Sequence, residues 1–470
     1  MSNGTDVDEV VDLRFRTALA RMEATQRIAC VTDEVDVEYD VAAILKRFDG
    51  DRALLFTRVS GYEVPIVGNF LASSANCEAA FGTDFRGIRA LVSRSLSAKG
   101  IAPEVVSTGP ARDVVHQENV DILAHVPALL HAPGDAGRFI TAGVVVARHP
   151  DTGVYNASYH RLQVLGGNRL AIRLDLGRHL RSAFEAAQAV GEPLPISVAV
   201  GADLSLMYAA ATMGSQMPED KDELSAAGAM QGAPLQMLAG LTQDVLVPAN
   251  AEFVLEGAIS PTEMVHEGPF GEFMGYHSDS GPAPVIDVTA LTHRNDPVYF
   301  AINGAGRETV MLRKYVLEAS ALQVLSSSAP TVVDVDITEG GLHRFHLNIA
   351  VRKQKTEHDG LERNAALAAF GALKDLVRIV LVDDDVDVHC ESDVEYAIAT
   401  RCDASTDVVV IPGGRGHEYV RVSERGVGTK WFIDATVPFT ERERFLRISF
   451  AQARIDSSDL RPCHHFGGGS

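Results

Sequence analysis

Two glutamates, Glu267 and Glu272, stand five residues apart across Gly268-Pro269-Phe270-Gly271. That segment cannot be helical. Proline removes a backbone donor and fixes one dihedral, while the glycines permit tight turns and close backbone approach. Such a turn can aim both acids at one point, and paired carboxylates in a partly dry site divide acid and base roles between them. The alternative is a solvated loop that carries two acids, since Gly/Pro turns are usually exposed.

Other candidates are weaker singly. Asn156, Ser158, Tyr159, His160 and Arg161 lie in one strand-like segment. Side chains alternate along a strand, so Asn156 and Arg161 diverge unless a bulge re-aims one of them. His179 opens a helix, where a lone histidine is usually a surface or capping residue. Glu223 ends the acidic run Glu219-Asp220-Lys221-Asp222-Glu223, which suits a helix start. Asp383-Asp384-Asp385-Val386-Asp387 follows a buried strand and reads either as a Mg2+ site or as a solvated strand end. Gly413-Gly414-Arg415-Gly416-His417 matches no phosphate-binding fingerprint and reads as a flexible loop or lid. Cys463-His464-His465 has metal-ligating side chains but falls in the last residues, where chains are usually mobile.

The bulk properties narrow the partners. The chain has 470 residues and a net charge of −21. That charge argues against nucleic acid or an anionic membrane, which want a basic face. It leaves room for a small anionic substrate, because one arginine reverses the sign inside a cleft. Five widely spaced cysteines with no CxxC pair make neither a disulfide framework nor a zinc ribbon. Reduced thiols in a cytoplasm are the expectation. No apolar stretch reaches membrane-spanning length, and residues 1–10 lack the pattern of a signal peptide.

Periodicity divides the chain into three regions. Helices are expected at residues 11–27, 41–48 and 87–97, with a strand at 53–59. A strand-rich middle follows: strands at 138–147, 156–164, 169–174, 195–200, 234–241, 251–259 and 285–303, with helices at 178–190 and 204–212. A long helix at 309–326 then leads into alternation. Strands at 331–337, 345–351, 377–382 and 407–411 alternate with helices at 361–375 and 392–401, the mark of an α/β domain.

Taken in order, these segments resemble the UbiD-like decarboxylases, which use prenylated flavin mononucleotide (prenylated FMN). The resemblance rests on His131-Ala-Pro-Gly-Asp-Ala-Gly-Arg-Phe-Ile-Thr141, on His149 to Arg161, on Pro195 to Ala202, on Ala226 to Gly232 and on Val247 to Gly257. It continues through Glu267-Gly-Pro-Phe-Gly-Glu272, then Gly428-Thr-Lys430 and Asp434-Ala-Thr436, and spans roughly residues 50–440. It implies an α/β (α+β) fold with an N-terminal α/β unit over 1–110 and a split β-barrel flavin-binding domain over 111–308. A linker helix over 309–326 and a C-terminal α/β domain over 327–470, used in oligomerisation, complete it.

The resemblance also implies roles. Arg161, Glu267 and Glu272 become the catalytic set, with Glu272 as proton donor and Arg161 paired to Glu267. Asn156, His179 and Glu223 become ligands of Mn2+ (or Mg2+) beside the flavin phosphate, with K+ nearby. Ser158, Tyr159, His160, Arg178 and Lys430 join Asn156, Arg161, His179 and Glu223 as cofactor-binding residues. For the substrate, Phe273, Asn303 and Arg307 are candidate contacts, suited to a pyrrole- or furan-type acid. His160 and Arg178 either line the pocket or face away. The implied activity is reversible, non-oxidative decarboxylation of an α,β-unsaturated or (hetero)aromatic acid, with release of CO2. A flavin prenyltransferase would supply the cofactor, and the chain would form homodimers or hexamers. The rival readings are a flavin-binding paralogue without catalysis, and a metal-dependent hydrolase built on His179 and the Asp383 cluster.

Overall fold

A computed structural model describes residues 10–97, 99–175, 177–212, 217 and 221–450. Cys463, His464, His465, Glu219 and Asp220 lie outside these residues. The central element is one nine-stranded sheet. Its order runs Phe139–Ile140, Leu162–Gly166, Arg169–Ile172, Gly281–His293, Phe253–Glu267, Leu194–Val200, Val144–Arg148 and Tyr155–Tyr159, with Val114–His116 paired to Gly281–His293. The two end strands share no ladder among the described residues, yet Ile140, Leu162, Val198, Leu255 and Val288 fall in one buried cluster. Side chains from five of its strands therefore share one core.

The longest strands, Phe253–Glu267 and Gly281–His293, form one hairpin. The β-branched run read as a single strand at 138–147 is two strands, Phe139–Ile140 and Val144–Arg148. The segment read as one strand at 156–164 is likewise two, Tyr155–Tyr159 and Leu162–Gly166, with His160 and Arg161 in the break.

A four-stranded sheet, in the order Ile28–Val31, Ala53–Phe56, Ile66–Gly68, Tyr299–Phe300, anchors the N-terminal helices. Its last strand comes from the chain after the central sheet, so the two regions share one core. The C-terminal sheet runs Val332–Ile337, His346–Val351, Arg378–Asp383, Val427–Ala435, Val408–Arg415, with helices Leu361–Ala372 and Glu391–Arg401 packed on it. Gly413 and Gly414, read as part of a flexible loop, belong to the edge strand Val408–Arg415, where a register shift lies opposite Gly428. No described helix is long and apolar enough to cross a membrane.

The helix Arg307–Ser328 joins these parts and is buried on most faces. Its charged side chains therefore need partners. Lys314 Nζ reaches Glu318 at 2.9 Å and Asp336 at 2.5 Å. His389 bridges Asp336 (3.2 Å) and Asp334 (3.1 Å), and Arg89 of the N-terminal region pairs with Asp334 at 2.8 Å. The network ties helix Phe85–Ser97 to the C-terminal sheet, and Phe85 lies against the His389 ring at 4.6 Å. Burial opposes charge on His389, but its hydrogen bonds to Asp334 and Asp336 outweigh that and push its pKa from 6.5 up to about 9. A raised histidine pKa contributes stability that is full below pH 6.5 and lost as pH rises through about 9. His389→Gln is expected to lower the melting temperature by about 2 °C or more near neutral pH. The deficit against wild type should shrink as the pH is raised through about 9. A deficit constant across that range would show that the charge is not what stabilises.

Candidate functional site

Arg161 is the centre of the site. It leaves the sheet in the break after Tyr155–Tyr159, which re-aims its side chain toward the tip of the long hairpin. Its Nε and Nη2 donate to the two carboxylate oxygens of Glu267, each at 2.8 Å. Its Nη1 donates to Glu272 Oε1 and, at 2.9 Å, to Ser278 Oγ. One guanidinium thus holds both glutamates. The fork geometry lets arginine do this, where a lysine has only a point charge to offer.

The two acids are not equivalent. Glu267, at the end of strand Phe253–Glu267, is fully buried and receives two bonds from Arg161. Glu272 is 21% exposed and receives one. Glu267 is the drier of the two. What separates them is how completely each is neutralised. For Glu272 burial wins over the charge and hydrogen bond of Arg161, and Asp175 and Glu267 add repulsion, so its pKa is raised from 4.5.

The hairpin tip is clamped. Gly268 has φ of +79°, a conformation that favours glycine, and its N–H donates to Gln163 Oε1. Gly271 N–H donates to Asp135 Oδ1 at 2.9 Å, and Ala136 N–H to the Pro269 carbonyl at 2.9 Å. Ser278 N–H to the Phe270 carbonyl and Glu272 N–H to the Tyr276 carbonyl, both 2.9 Å, close the loop as a short hairpin. Phe270 is buried under the Arg161 guanidinium, 5.6 Å away, and packs on Phe139 at 4.6 Å. Gly304 backs this ring: a Cβ there would stand 2.5 Å from Phe270 and 2.4 Å from the Gly271 carbonyl.

Glu272 opens on a cavity of about 180 Å³ whose lining includes Tyr159, His160, Arg161, Arg178 and Phe273. His160 is held by Ser158 Oγ at 3.0 Å and the Arg173 carbonyl at 2.9 Å; burial above all lowers its pKa. Burial likewise raises the pKa of Tyr159, whose hydroxyl is buried without a hydrogen-bond partner. Arg313 and Arg344 also line the cavity. Arg344 pairs with Asp375 at 2.7 Å and lies 5.2 Å from the Phe273 ring. Arg313 makes no hydrogen bond or ion pair with any described residue. Burial, then Arg344 and Arg178, bring its pKa down to about 9. An unpaired cation on a cavity wall calls for an anion. Tyr419 closes one side, donating to Asp175 Oδ1 at 3.1 Å.

Asn156, His179 and Glu223 converge behind this wall. Glu223, the first residue of helix Glu223–Gln231, accepts from Asn156 Nδ2 at 3.2 Å and from Ala157 N–H at 3.1 Å. His179 Nδ1 lies 3.7 Å from Glu223 Oε1. Half a turn of the Asn156 amide would present its oxygen instead. The set then offers oxygen, nitrogen and carboxylate donors, which fits Mn2+ or Mg2+.

Three expected residues stand elsewhere. Lys430 is buried in strand Val427–Ala435 and donates to the carbonyls of Lys374 and Leu376, away from the cavity lining. Asn303 turns its amide to the Ala42 carbonyl at 3.0 Å. Arg307 pairs with Glu339 at 2.7 Å. Neither lines the cavity. The Asp383 cluster is not free for a metal either: Asp384 pairs with Arg352 and Arg442, and Asp383 and Asp385 with Arg401. Sequence reasoning missed Asp135, Gln163, Ser278, Arg313, Arg344 and Tyr419.

Three profiles described as 3-octaprenyl-4-hydroxybenzoate carboxy-lyase match in series: the N-terminal domain at residues 19–103, the Rift-related domain at 104–307 and the C-terminal domain at 310–435. Anhydromevalonate phosphate decarboxylase of Methanothermobacter thermautotrophicus is 34% identical, over 89% of this chain and 96% of its own length. Gallate decarboxylase of Lactiplantibacillus plantarum is 31% identical, over 85% and 86%. The UbiD-class enzyme HmfF of Pelotomaculum thermopropionicum, solved with FMN, superposes with a TM-score of 0.88 at 38% identity, over 93% of this chain and 97% of that one. The 3,4-dihydroxybenzoic acid decarboxylase AroY of Klebsiella pneumoniae gives 0.87 at 27% identity, over 93% and 97%. The chain belongs to the UbiD family of carboxy-lyases.

Proposed function

We propose that this chain is a reversible, non-oxidative decarboxylase of a (hetero)aromatic acid that works with prenylated FMN and carries a second anionic group on its substrate. The observation that supports it is the Arg161 fork on Glu267 and Glu272, with Arg161, Glu272 and Arg313 lining one cavity. Bound prenylated FMN supplies the electron sink for the carbon that loses CO2. The orphan Tyr159 hydroxyl and the cations Arg173 and Arg178 offer polar partners for a phosphate-bearing flavin. Asn156, His179 and Glu223 would hold Mn2+ (or Mg2+) against that phosphate.

The chain's own residues then divide the work. Glu267 is the buried counter-ion that fixes Arg161. Arg161 orients Glu272 through its free Nη1. Glu272, whose pKa burial raises, is the acid placed to deliver a proton to the carbon that CO2 leaves. Phe273, backed by Phe345 at 6.3 Å and with His417 edge-on, gives the substrate ring an aromatic surface. Arg313, with Arg344, takes the second anionic group. The phosphate named in one relative's substrate and the carboxylates of aromatic diacids are both such groups. A homodimer is the expected assembly.

Glu272→Gln should cut kcat by about 10³-fold or more while the flavin absorbance of the purified protein is unchanged. Retained activity would remove the proton-donor role. Because the Glu272 pKa is raised, its acid form is lost as pH rises, so kcat/KM should fall on the basic side. Asp175→Asn removes one of the charges that raise that pKa and should move the falling limb to lower pH. Arg313→Met should raise KM for a diacid roughly 10–100-fold, with little change for the matching monoacid and the flavin retained. Loss of flavin instead would make Arg313 a cofactor contact and end the second-anion reading.

A further inference from the structure

The long hairpin has a second group of chemically competent side chains at its other end. Strand Val114–His116 pairs antiparallel with the end of Gly281–His293, placing His116 opposite Leu291 and Val114 opposite His293. His116 and His293 therefore share one face of the sheet, two residues offset. His125, the last residue of the short helix Ile122–His125, stacks over His116 with ring centroids 3.9 Å apart. One ring nitrogen from each of the three histidines lies within 4.8 Å of the others. Among the described residues no other group of three His, Cys, Asp or Glu side chains gathers this closely.

Two details go beyond proximity. His116 Nε2 and His293 Nε2 face each other at 3.3 Å. Ligand atoms about 2.05 Å from a tetrahedral Zn2+ stand about 3.3 Å apart, so this edge already has the length that a shared ion imposes. His293 Nδ1 is 2.6 Å from the Arg294 carbonyl. A carbonyl only accepts, so the proton of His293 sits on Nδ1 and its Nε2 presents a lone pair toward His116. A backbone carbonyl holding the far nitrogen is the usual support of a metal-ligating histidine. Phe253 packs on the His293 ring at 5.5 Å and fixes its plane from the other side.

We propose that His116, His125 and His293 bind a divalent transition-metal ion of the Zn2+ type, with a water molecule in the fourth position. Three neutral imidazoles suit Zn2+, Ni2+ or Cu2+ and suit the oxygen-seeking Mg2+ and Ca2+ poorly. The site is separate from the decarboxylase cavity. None of the three histidines lines that cavity, and His293 lies twelve residues along the strand from Gly281, which pairs with Glu267. The ion would join three segments distant in sequence: the strand that enters the central sheet, the short helix after it, and the far end of the hairpin. Its role is that of a staple, and the inference is independent of the proposed reaction.

The test is Zn2+ titration of the full-length holoprotein, with metal content and melting temperature read together. Wild type should bind one equivalent that His125→Gln lacks, with the affinity weakened at least about 100-fold. Zn2+ should raise the melting temperature of wild type and not of His125→Gln. His125→Cys, which restores a soft ligand, should recover binding. Co2+ in place of Zn2+ should give wild type a visible tetrahedral band that His125→Gln lacks and His179→Gln keeps, which separates this site from the one beside Glu223. Equal Zn2+ stoichiometry and affinity in wild type and His125→Gln, or a Co2+ band lost in His179→Gln instead, would overturn the proposal.

Discussion

The buried ion pair of Arg161 and Glu267 is the constraint on which the site depends. A carboxylate with no solvent contact is tolerated only if it is paired and hydrogen-bonded, because the desolvation of each charge costs several kcal/mol. Both Glu267 oxygens meet that condition through one guanidinium. The pair fixes where the hairpin tip must lie relative to the strand break that carries Arg161. Asp135 and Gln163, through side-chain oxygens, and Ala136, through its N–H, then hold the tip's main chain. Glu272 takes the remaining Arg161 nitrogen, and burial outweighs that contact and raises its pKa.

Around that pair the electrostatics change sign. A chain of net charge −21 lines its cavity with Arg161, Arg173, Arg178, Arg313 and Arg344. Asp375 answers Arg344, and Asp175 lies near Arg173. Arg313 has no such answer among the described residues. Cavity residues come from the central sheet, from the long helix and from the C-terminal region, so the cavity exists only where these parts meet. The network of Arg89, Lys314, Glu318, Asp334, Asp336 and His389 fixes that junction. Site geometry and domain packing are therefore one problem in this fold.

Much of the fold was legible along the chain. The helix expected at 309–326 is Arg307–Ser328, and the alternation after it is the five-stranded C-terminal sheet. Periodicity reports such elements because each must bury one face. It did not report the breaks at His160-Arg161 and between Ile140 and Val144, since β-branched residues read alike on either side of a break. It gave a loop at Gly413-Gly414 where an edge strand runs, because glycine carries no side chain to show a period.

The sequence by itself determined the chemistry that was possible: two acids on a stiff Gly-Pro turn, an arginine five residues after an asparagine, a histidine and a glutamate each opening a helix. Those residues are marked by type and by local backbone demands, which are properties of short segments. Tertiary structure alone decided which acid Arg161 neutralises fully, that Arg313 goes unpaired, and that Lys430, Asn303 and Arg307 point elsewhere. It also brought His116, His125 and His293 together. Partnership between charges depends on distances of 3–4 Å between segments far apart in sequence, and no local pattern encodes those distances.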